Sequence, residues 1–197
     1  MNYLAHLYLS NHNTGLLTGN FIADAVKGNP DGRYPADVVD GIKMHRLIDD
    51  FTDRHAATKE AVEIFRPATG RYAPVVLDII YDHLLGINWN KVTEQDMRVF
   101  SDDVYTQLGT SYSLFPERMQ LFYDKMVEYD FLPNYAEVDG LTKTLDRLQY
   151  RAKTDVDFVA AVEVMQNEKG RLSDLFLYFF TQLQAELDSK GYSRLRL

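Results

Sequence analysis

The residues of this sequence most suited to chemistry are histidines and aspartates that recur at helical spacings. All five histidines fall within the first 83 residues: His6, His12, His45, His55 and His83. His45 and Asp49 are four residues apart, so on a helix both side chains leave the same face. An imidazole and a carboxylate placed in this way can share a metal ion, or the carboxylate can orient the imidazole. The same spacing also occurs in ordinary surface ion pairs, which are only weakly stabilising.

A second group of charged side chains interrupts an apolar segment at 75–85. Asp78 and Asp82 are one helical turn apart, and His83 follows directly. A helix that is apolar nearly all round is usually buried, and each unpaired ion buried in it is costly. A divalent cation would satisfy several carboxylates at once, although Asp78 can also be a buried, hydrogen-bonded aspartate.

Two further polar residues, His6 and Asp24, stand in apolar segments near the N-terminus. Imidazole and carboxylate ligands together suit manganese, iron, nickel or zinc better than calcium, and sites rich in carboxylate and water favour Mn²⁺ or Mg²⁺. Such an ion lowers the pKa of bound water and polarises a phosphoryl oxygen. Hydrolysis of a phosphodiester needs both effects and also positive charge, for which Arg46 is a candidate. A lone histidine such as His6 can instead be a satisfied core residue.

Helices must position these side chains, because apolar residues recur at spacings of three and four and strand alternation is hard to find. The pattern predicts an all-α, single-domain bundle over residues 1–197. The predicted helices are 2–10, 14–27, 35–56, 58–68, 71–86, 93–111, 116–129, 137–151, 155–165 and 168–190. Thr93 is predicted to cap the helix 93–111, with Asp96 at the third helical position. His12, between two asparagines, is predicted to lie at the surface.

Composition excludes several classes of function. The chain has no cysteine, which rules out disulfides, thiolate zinc sites and cysteine nucleophiles. Its net charge of −8 argues against general nucleic-acid binding, which needs clustered lysine and arginine. The start of the chain does not read as a signal peptide, and no segment approaches the length of a membrane span. We therefore expect a cytoplasmic protein that binds neither nucleic acid nor membrane, with its oligomeric state open.

Four blocks of sequence carry a resemblance to a known family. MNYLAHLYLS, GNFIADAVKG, GIKMHRLIDDFTD and LDIIYDHLL follow one another within residues 1–90 and resemble the signature blocks of the acyl carrier protein phosphodiesterases. This family is similar to the HD-type metal-dependent phosphohydrolases in fold and chemistry. The resemblance implies removal of the 4′-phosphopantetheine arm from holo-acyl carrier protein, with Mn²⁺ as the expected cofactor and the carrier protein as partner. Residues 91–197 match only as a helical tail.

The resemblance also implies which residues form the site. The implied metal ligands are Asp24, His45, Asp49, Asp78, Asp82 and His83. The resemblance also includes His6 in the metal and catalytic set. We predict His6, Arg46, Asp49 and Asp82 as the catalytic residues, with Arg46 chosen for its positive charge beside His45. Asp49 or Asp82 would take the proton of the attacking water, and His6 or Arg46 would stabilise phosphoryl charge or protonate the leaving serine oxygen.

Two alternatives stay open on the sequence alone. HD-type architecture serves many phosphate esters, so the substrate can be a nucleotide of the alarmone kind. The chain can also be a helical scaffold whose metal is structural or absent. A carrier-protein substrate adds one requirement: acyl carrier proteins are acidic, so a local basic patch must offset repulsion from this acidic chain. The candidate residues are Lys27, Arg33, Arg46, Arg54, Lys59, Arg66, Arg71, Arg118 and Lys125.

Overall fold

The computed structural model describes residues 1–11 and 13–192, and within these ranges the regular structure is entirely helical. His12, predicted to be a surface residue, lies outside the described residues. Twelve α-helices are formed in this part of the chain: α1 (Tyr3–Ser10), α2 (Thr14–Ile22), α3 (Ala36–Arg54), α4 (Ala56–Thr69), α5 (Ala73–Ile87), α6 (Trp89–Val92), α7 (Met97–Thr110), α8 (Glu117–Glu128), α9 (Phe131–Asn134), α10 (Val138–Ala152), α11 (Ala160–Asn167) and α12 (Lys169–Ser189). The prediction of an all-α protein is confirmed. No helix among the described residues combines the length and apolarity that crossing a membrane requires.

The predicted helices all exist, but three details were wrong. Helix α11 begins at Ala160 rather than at residue 155. The second helix ends at Ile22 rather than at residue 27, and a 3₁₀ turn, Ala23–Ala25, follows it. Helix α7 begins after Asp96, whose carboxylate accepts hydrogen bonds from the backbone N–H groups of Arg98 and Val99. Asp96 is therefore the N-cap and not the third helical residue, because its side chain satisfies the free N–H groups of the first turn.

Two glycines bring α2 and α3 into backbone contact. A Cβ atom added at Gly19 would lie 2.0 Å from the carbonyl oxygen of Val38, and one added at Gly41 would lie 2.3 Å from that of Leu16. No other residue fits at either position without displacing a helix. Asn20 follows Gly19 directly, and His45 lies one turn after Gly41. The glycine contact therefore brings Asn20 and His45 together.

Helix α1 runs through the interior, since every residue from Leu4 to Ser10 is buried. Its free N-terminal N–H groups are satisfied by Asp82 of α5. The carboxylate accepts hydrogen bonds from Leu4 N at 2.7 Å and from Asn2 N and Ala5 N, both at 3.3 Å. This buried cap fixes α1 against α5 and thereby fixes the position of His6 relative to α2 and α3.

Candidate metal centre

Four polar side chains meet beside the middle of α1, and they come from α1, from α3 and from the turn after α2. His6 Nε2 lies 3.1 Å from Asp49 Oδ1, and His45 Nε2 lies 3.1 Å from Asp49 Oδ2. Asp24, in the turn after α2, places Oδ1 3.4 Å from His45 Nε2. The two imidazole rings stack with centroids 4.1 Å apart. One donor atom from each of His6, His45 and Asp49 can be chosen so that all three lie within 4.8 Å of one another, which is the spacing that a single cation needs.

Asn20 determines which ring nitrogens carry protons. Its amide Nδ2 donates to the carbonyl oxygen of His6 at 3.2 Å, so its Oδ1 faces the two rings. That oxygen lies 2.8 Å from His6 Nδ1 and 3.0 Å from His45 Nδ1. An amide oxygen can accept two hydrogen bonds, so both Nδ1 atoms carry the proton and donate. Both Nε2 atoms are then directed at the carboxylates.

Burial and neighbouring charges shift the pKa values of the two histidines in opposite directions. Burial and the neighbouring His45 lower the pKa of His6 to about 4. Burial also disfavours charge on His45, but hydrogen bonds with Asp24 and Asp49 prevail and raise its pKa to about 9. Asp49 is partly buried, yet its contacts with His45 and His6 hold its pKa well below the usual range. At neutral pH the cluster therefore pairs a neutral His6 and a protonated His45 with an ionised Asp49.

This protonation pattern leaves one contact unmatched. A neutral His6 with its proton on Nδ1 presents the lone pair of Nε2 to Asp49 Oδ1 at 3.1 Å, so two acceptors face each other. A cation between them would turn both lone pairs into ligands. The donors, two imidazole nitrogens and carboxylate oxygens, suit a divalent transition metal, and Asn20 supplies the hydrogen bonds that orient metal-bound histidines. The residues present therefore fit a metal ion.

Asp78 lies beside this cluster and contacts it through the chain terminus. The α-amino group of Met1 is 2.9 Å from Asp78 Oδ1 and 3.9 Å from Asp49 Oδ1. Burial lowers the pKa of this amino group, but Asp78 and Asp49 more than compensate and raise it. Burial and the charge of Asp78 raise the pKa of Asp53. An ammonium group thus occupies the space between two of the predicted site aspartates.

Three other predicted site residues point elsewhere. Asp82 is fully buried and faces the start of α1, where three backbone N–H groups occupy its oxygens. His83 Nδ1 donates to the carbonyl oxygen of Tyr135 at 2.8 Å. Arg46 Nη2 donates to the carbonyl oxygens of Val26 at 3.2 Å and Gly28 at 2.9 Å, and so fastens the loop after α2. Each of these three has a structural partner of its own, and none of them contacts the cluster of His6, Asp24, His45 and Asp49 in the hydrogen bonds described above.

Two residues at the site were not predicted from the sequence. Asn20 lies four residues before Asp24, and a polar amide in an otherwise apolar segment is the sequence signal that could have singled it out. Tyr3 stands near Asp24, and burial together with the Asp24 charge raises the pKa of its hydroxyl to about 12. Tyr3 has no comparable signal, since tyrosine is common in helical cores.

Comparison with known proteins identifies the family of this chain. The family described as acyl carrier protein phosphodiesterase matches residues 1–183. Proteins named acyl carrier protein phosphodiesterase from Photorhabdus laumondii, Salmonella paratyphi A and Enterobacter sp. are 32%, 38% and 39% identical to this chain. The alignments cover 98%, 97% and 96% of this chain and 98%, 100% and 99% of those proteins. No solved structure gives a significant match, so the likeness to the HD-type fold stays a prediction. The chain belongs to the acyl carrier protein phosphodiesterase family.

Proposed function

We propose that this protein is a metal-dependent phosphoric diester hydrolase that cleaves the bond between 4′-phosphopantetheine and a serine of holo-acyl carrier protein. The products would be apo-acyl carrier protein and 4′-phosphopantetheine. The names of the relatives support the substrate. The observation that supports the metal is the convergence of His6, His45 and Asp49, whose donor atoms lie within 4.8 Å of one another.

The ligands in this proposal are His6 Nε2, His45 Nε2 and the carboxylate of Asp49, with Asp24 at the exposed edge. We expect Mn²⁺, since mixed nitrogen and oxygen donors with open positions for water suit it. A bound divalent ion would supply an acidified water and neutralise charge on a phosphoryl oxygen. His45 would have to release its Nε2 proton for this ion to bind, because the same nitrogen is the ligand.

Asp24 is the best placed base of the cluster. Its side chain is 68% exposed, whereas Asp49 has both oxygens directed at histidines. The hydrogen bond with His45 lowers the pKa of Asp24, so it is ionised at neutral pH. In our proposal Asp24 accepts the proton of the attacking water at its open face. Asp82 does not serve this step, since its oxygens are occupied by the backbone of α1.

The test is mass spectrometry of holo-acyl carrier protein after incubation with this protein. We expect the carrier protein to lose the phosphopantetheine arm when the protein has been loaded with Mn²⁺, and to keep it when the metal has been stripped with a chelator. An unchanged mass under both conditions would overturn the proposed substrate. Cleavage of a guanosine tetraphosphate in its place would favour the nucleotide alternative, and equal cleavage with and without metal would overturn the metal assignment.

A further inference from the structure

One face of α8 carries a stripe of basic and aromatic side chains. Arg118, Phe122, Lys125 and Tyr129 recur at spacings of four, three and four, so they share a face of the helix as it ends at Glu128. Arg118, Lys125 and Tyr129 are exposed, and Phe122 is half-buried. The acidic residues of the helix lie about 100° away round its axis: Glu117, Asp124 and Glu128. We call the first four residues the α8 stripe.

The cations of this surface are not neutralised. Within residues 1–11 and 13–192, no carboxylate forms an ion pair with Arg118, Lys125 or the exposed Arg151 of α10. Arg98 shows the contrast, since Asp102 and Asp130 both bind it. On a chain with eight more negative than positive charges, exposed cations without a carboxylate partner favour an anionic partner at this surface.

The α8 stripe is joined to the metal centre by direct contacts. Arg118 Nη2 donates to the backbone carbonyl oxygen of Asp24, whose side chain contacts His45. The ring of Phe122 stacks on that of Tyr3, with centroids 4.5 Å apart. The positive charges of Arg118 and Arg151 both act to lower the pKa of the Tyr3 hydroxyl, so both arginines lie within electrostatic range of the same side chain. The basic surface therefore borders the exposed edge of the cluster.

We propose that the α8 stripe and Arg151 form the docking surface for the acyl carrier protein, whose surface carboxylates they bind while its modified serine faces Asp24. This inference rests on the proposed function, which supplies the acidic protein substrate. Complementary charge at the rim of an interface speeds association and fixes orientation. The aromatic rings give the patch the amphipathic character that protein interfaces favour. Binding of the substrate phosphate alone would not need Lys125 or Tyr129, which lie two and three turns along α8 from Arg118.

The experiment compares two doubly substituted proteins that carry the same change in net charge. Lys125→Glu/Arg151→Glu reverses two cations of the docking surface. Arg66→Glu/Arg171→Glu reverses two exposed arginines of α4 and α12 that pair with Glu63 and Glu60. We expect the first pair of substitutions to lower kcat/KM for holo-acyl carrier protein by about tenfold or more at low salt and to flatten its salt dependence. The matched control is expected to stay within about twofold of wild type, because it breaks two exposed ion pairs of little energetic value and otherwise alters only long-range charge.

A second substrate and a binding measurement separate the possible outcomes. Turnover of bis(p-nitrophenyl) phosphate with Mn²⁺ is expected to be equal in all three proteins, since a small diester does not reach Lys125. Equal losses on both substrates, or equal losses in both doubly substituted proteins, would overturn the docking surface. Calorimetric titration of metal-stripped protein with holo-acyl carrier protein measures docking without turnover. If wild type binds holo-acyl carrier protein and never cleaves it, the proposed function is wrong and the docking surface is retained. If the Lys125→Glu/Arg151→Glu protein binds holo-acyl carrier protein as tightly as wild type does, the docking surface is wrong.

Discussion

The two halves of the chain differ in what they bury. Of fourteen buried polar or charged side chains among the described residues, twelve lie between residues 6 and 88, and the remaining two are Ser101 and Ser173. Large exposed hydrophobic side chains have the opposite distribution. Val75 is the one example in the first half of the described chain, and the others are Val99, Leu121, Val127, Tyr129, Val138, Tyr150 and Tyr178.

This difference indicates a division of tasks. A buried polar group is costly unless it is paired, so the first half must hold each of its polar groups in one arrangement, as Asn20 holds His6 and His45. Exposed hydrophobic residues carry no such constraint and contribute to contact surfaces. Substitutions in helices α1–α5 should therefore affect chemistry or folding strongly, and substitutions on the exposed face of α8–α10 should affect association mildly.

The largest effect is expected from Asp49→Asn. The amide keeps the shape of the carboxylate but removes the charge that both histidines face, so the proposed metal site would lose its central anionic ligand. We expect kcat/KM to fall by about 10³-fold or more, as for removal of a principal electrostatic group, measured as release of phosphopantetheine. Asp50→Asn is the control, because Asp50 is exposed and pairs with Arg54. Comparable losses in the two variants would contradict the role of Asp49.

A large effect on stability is expected from Asp82→Ala. The substitution leaves the backbone N–H groups of Asn2, Leu4 and Ala5 without an acceptor, and each buried orphan group costs about 1–3 kcal/mol. We expect the free energy of unfolding in urea to fall by about 3 kcal/mol, and by less for Asp82→Asn, which keeps one acceptor oxygen. The comparison is Asp96→Ala, which removes an exposed cap in the second half and should cost about 1 kcal/mol. Equal losses of the free energy of unfolding in Asp82→Ala and Asp96→Ala would contradict the difference between the two halves of the chain.

Asp82 also shows how far sequence reasoning reaches. A carboxylate on a helix that is apolar nearly all round must find partners, and the sequence identified that requirement correctly. It did not identify the partner, because the N–H groups at the start of α1 are 77 to 80 residues away along the chain. The helices themselves follow from apolar spacing and were predicted within a few residues, apart from the two short ones, α6 and α9.

Asn20 is a feature of the site that the sequence did not predict. The sequence placed His6, Asp24, His45 and Asp49 in one site, and the structure brings these four together. The position of Asn20 depends on the contact between Gly19 and the backbone of α3, which no local pattern encodes. The tautomers of the two histidines depend in turn on Asn20, so this feature of the site could be obtained only from the fold.

Asn20→Ala is expected to weaken metal binding by about 10- to 100-fold, the usual effect of removing the hydrogen bonds that orient histidine ligands. The rings would lose the acceptor that holds both protons on Nδ1. The measurement is the dissociation constant for Mn²⁺ from calorimetry. Asn88→Ala is the matched control, because Asn88 is also buried in the first half but bonds Leu84 and Ser173. Asn88→Ala should lower the free energy of unfolding and leave the dissociation constant for Mn²⁺ unchanged. Weaker Mn²⁺ binding in Asn88→Ala and unchanged binding in Asn20→Ala would contradict the role of Asn20 in orienting the ligands.

Metal affinity is expected to rise about tenfold per pH unit between pH 6 and 8.5, because His45 has its pKa raised to about 9 and must lose one proton to bind the ion. His6, with its pKa lowered to about 4, is already neutral and adds no dependence in this range. Calorimetry in buffers of different ionisation enthalpy should show one proton released at pH 7. Release of two protons, or of none, would contradict this assignment.

The same proton changes the stability of the metal-free protein. The pKa of His45 is raised above its ordinary value of 6.5. The stabilisation of the folded protein by protonated His45 is therefore complete below pH 6.5 and is lost as the pH rises through about 9. We expect the midpoint of urea unfolding of the metal-free protein to fall across that window. His45→Gln should remove this dependence, and a midpoint that rises with pH in wild type would show that the sign is wrong.

The smallest effect is expected from Leu121→Gln on α8, which tests the second half from its exposed side. Leu121 is 61% exposed and lies beside the α8 stripe, so polar substitution removes little buried area. The free energy of unfolding should stay within about 0.5 kcal/mol of wild type, while KM for holo-acyl carrier protein rises about two- to fivefold through lost apolar contact. Val99→Gln on α7, where Val99 is 60% exposed, should change neither quantity. If Leu121→Gln destabilises the fold and leaves KM unchanged, this face supports the core and does not contact the substrate.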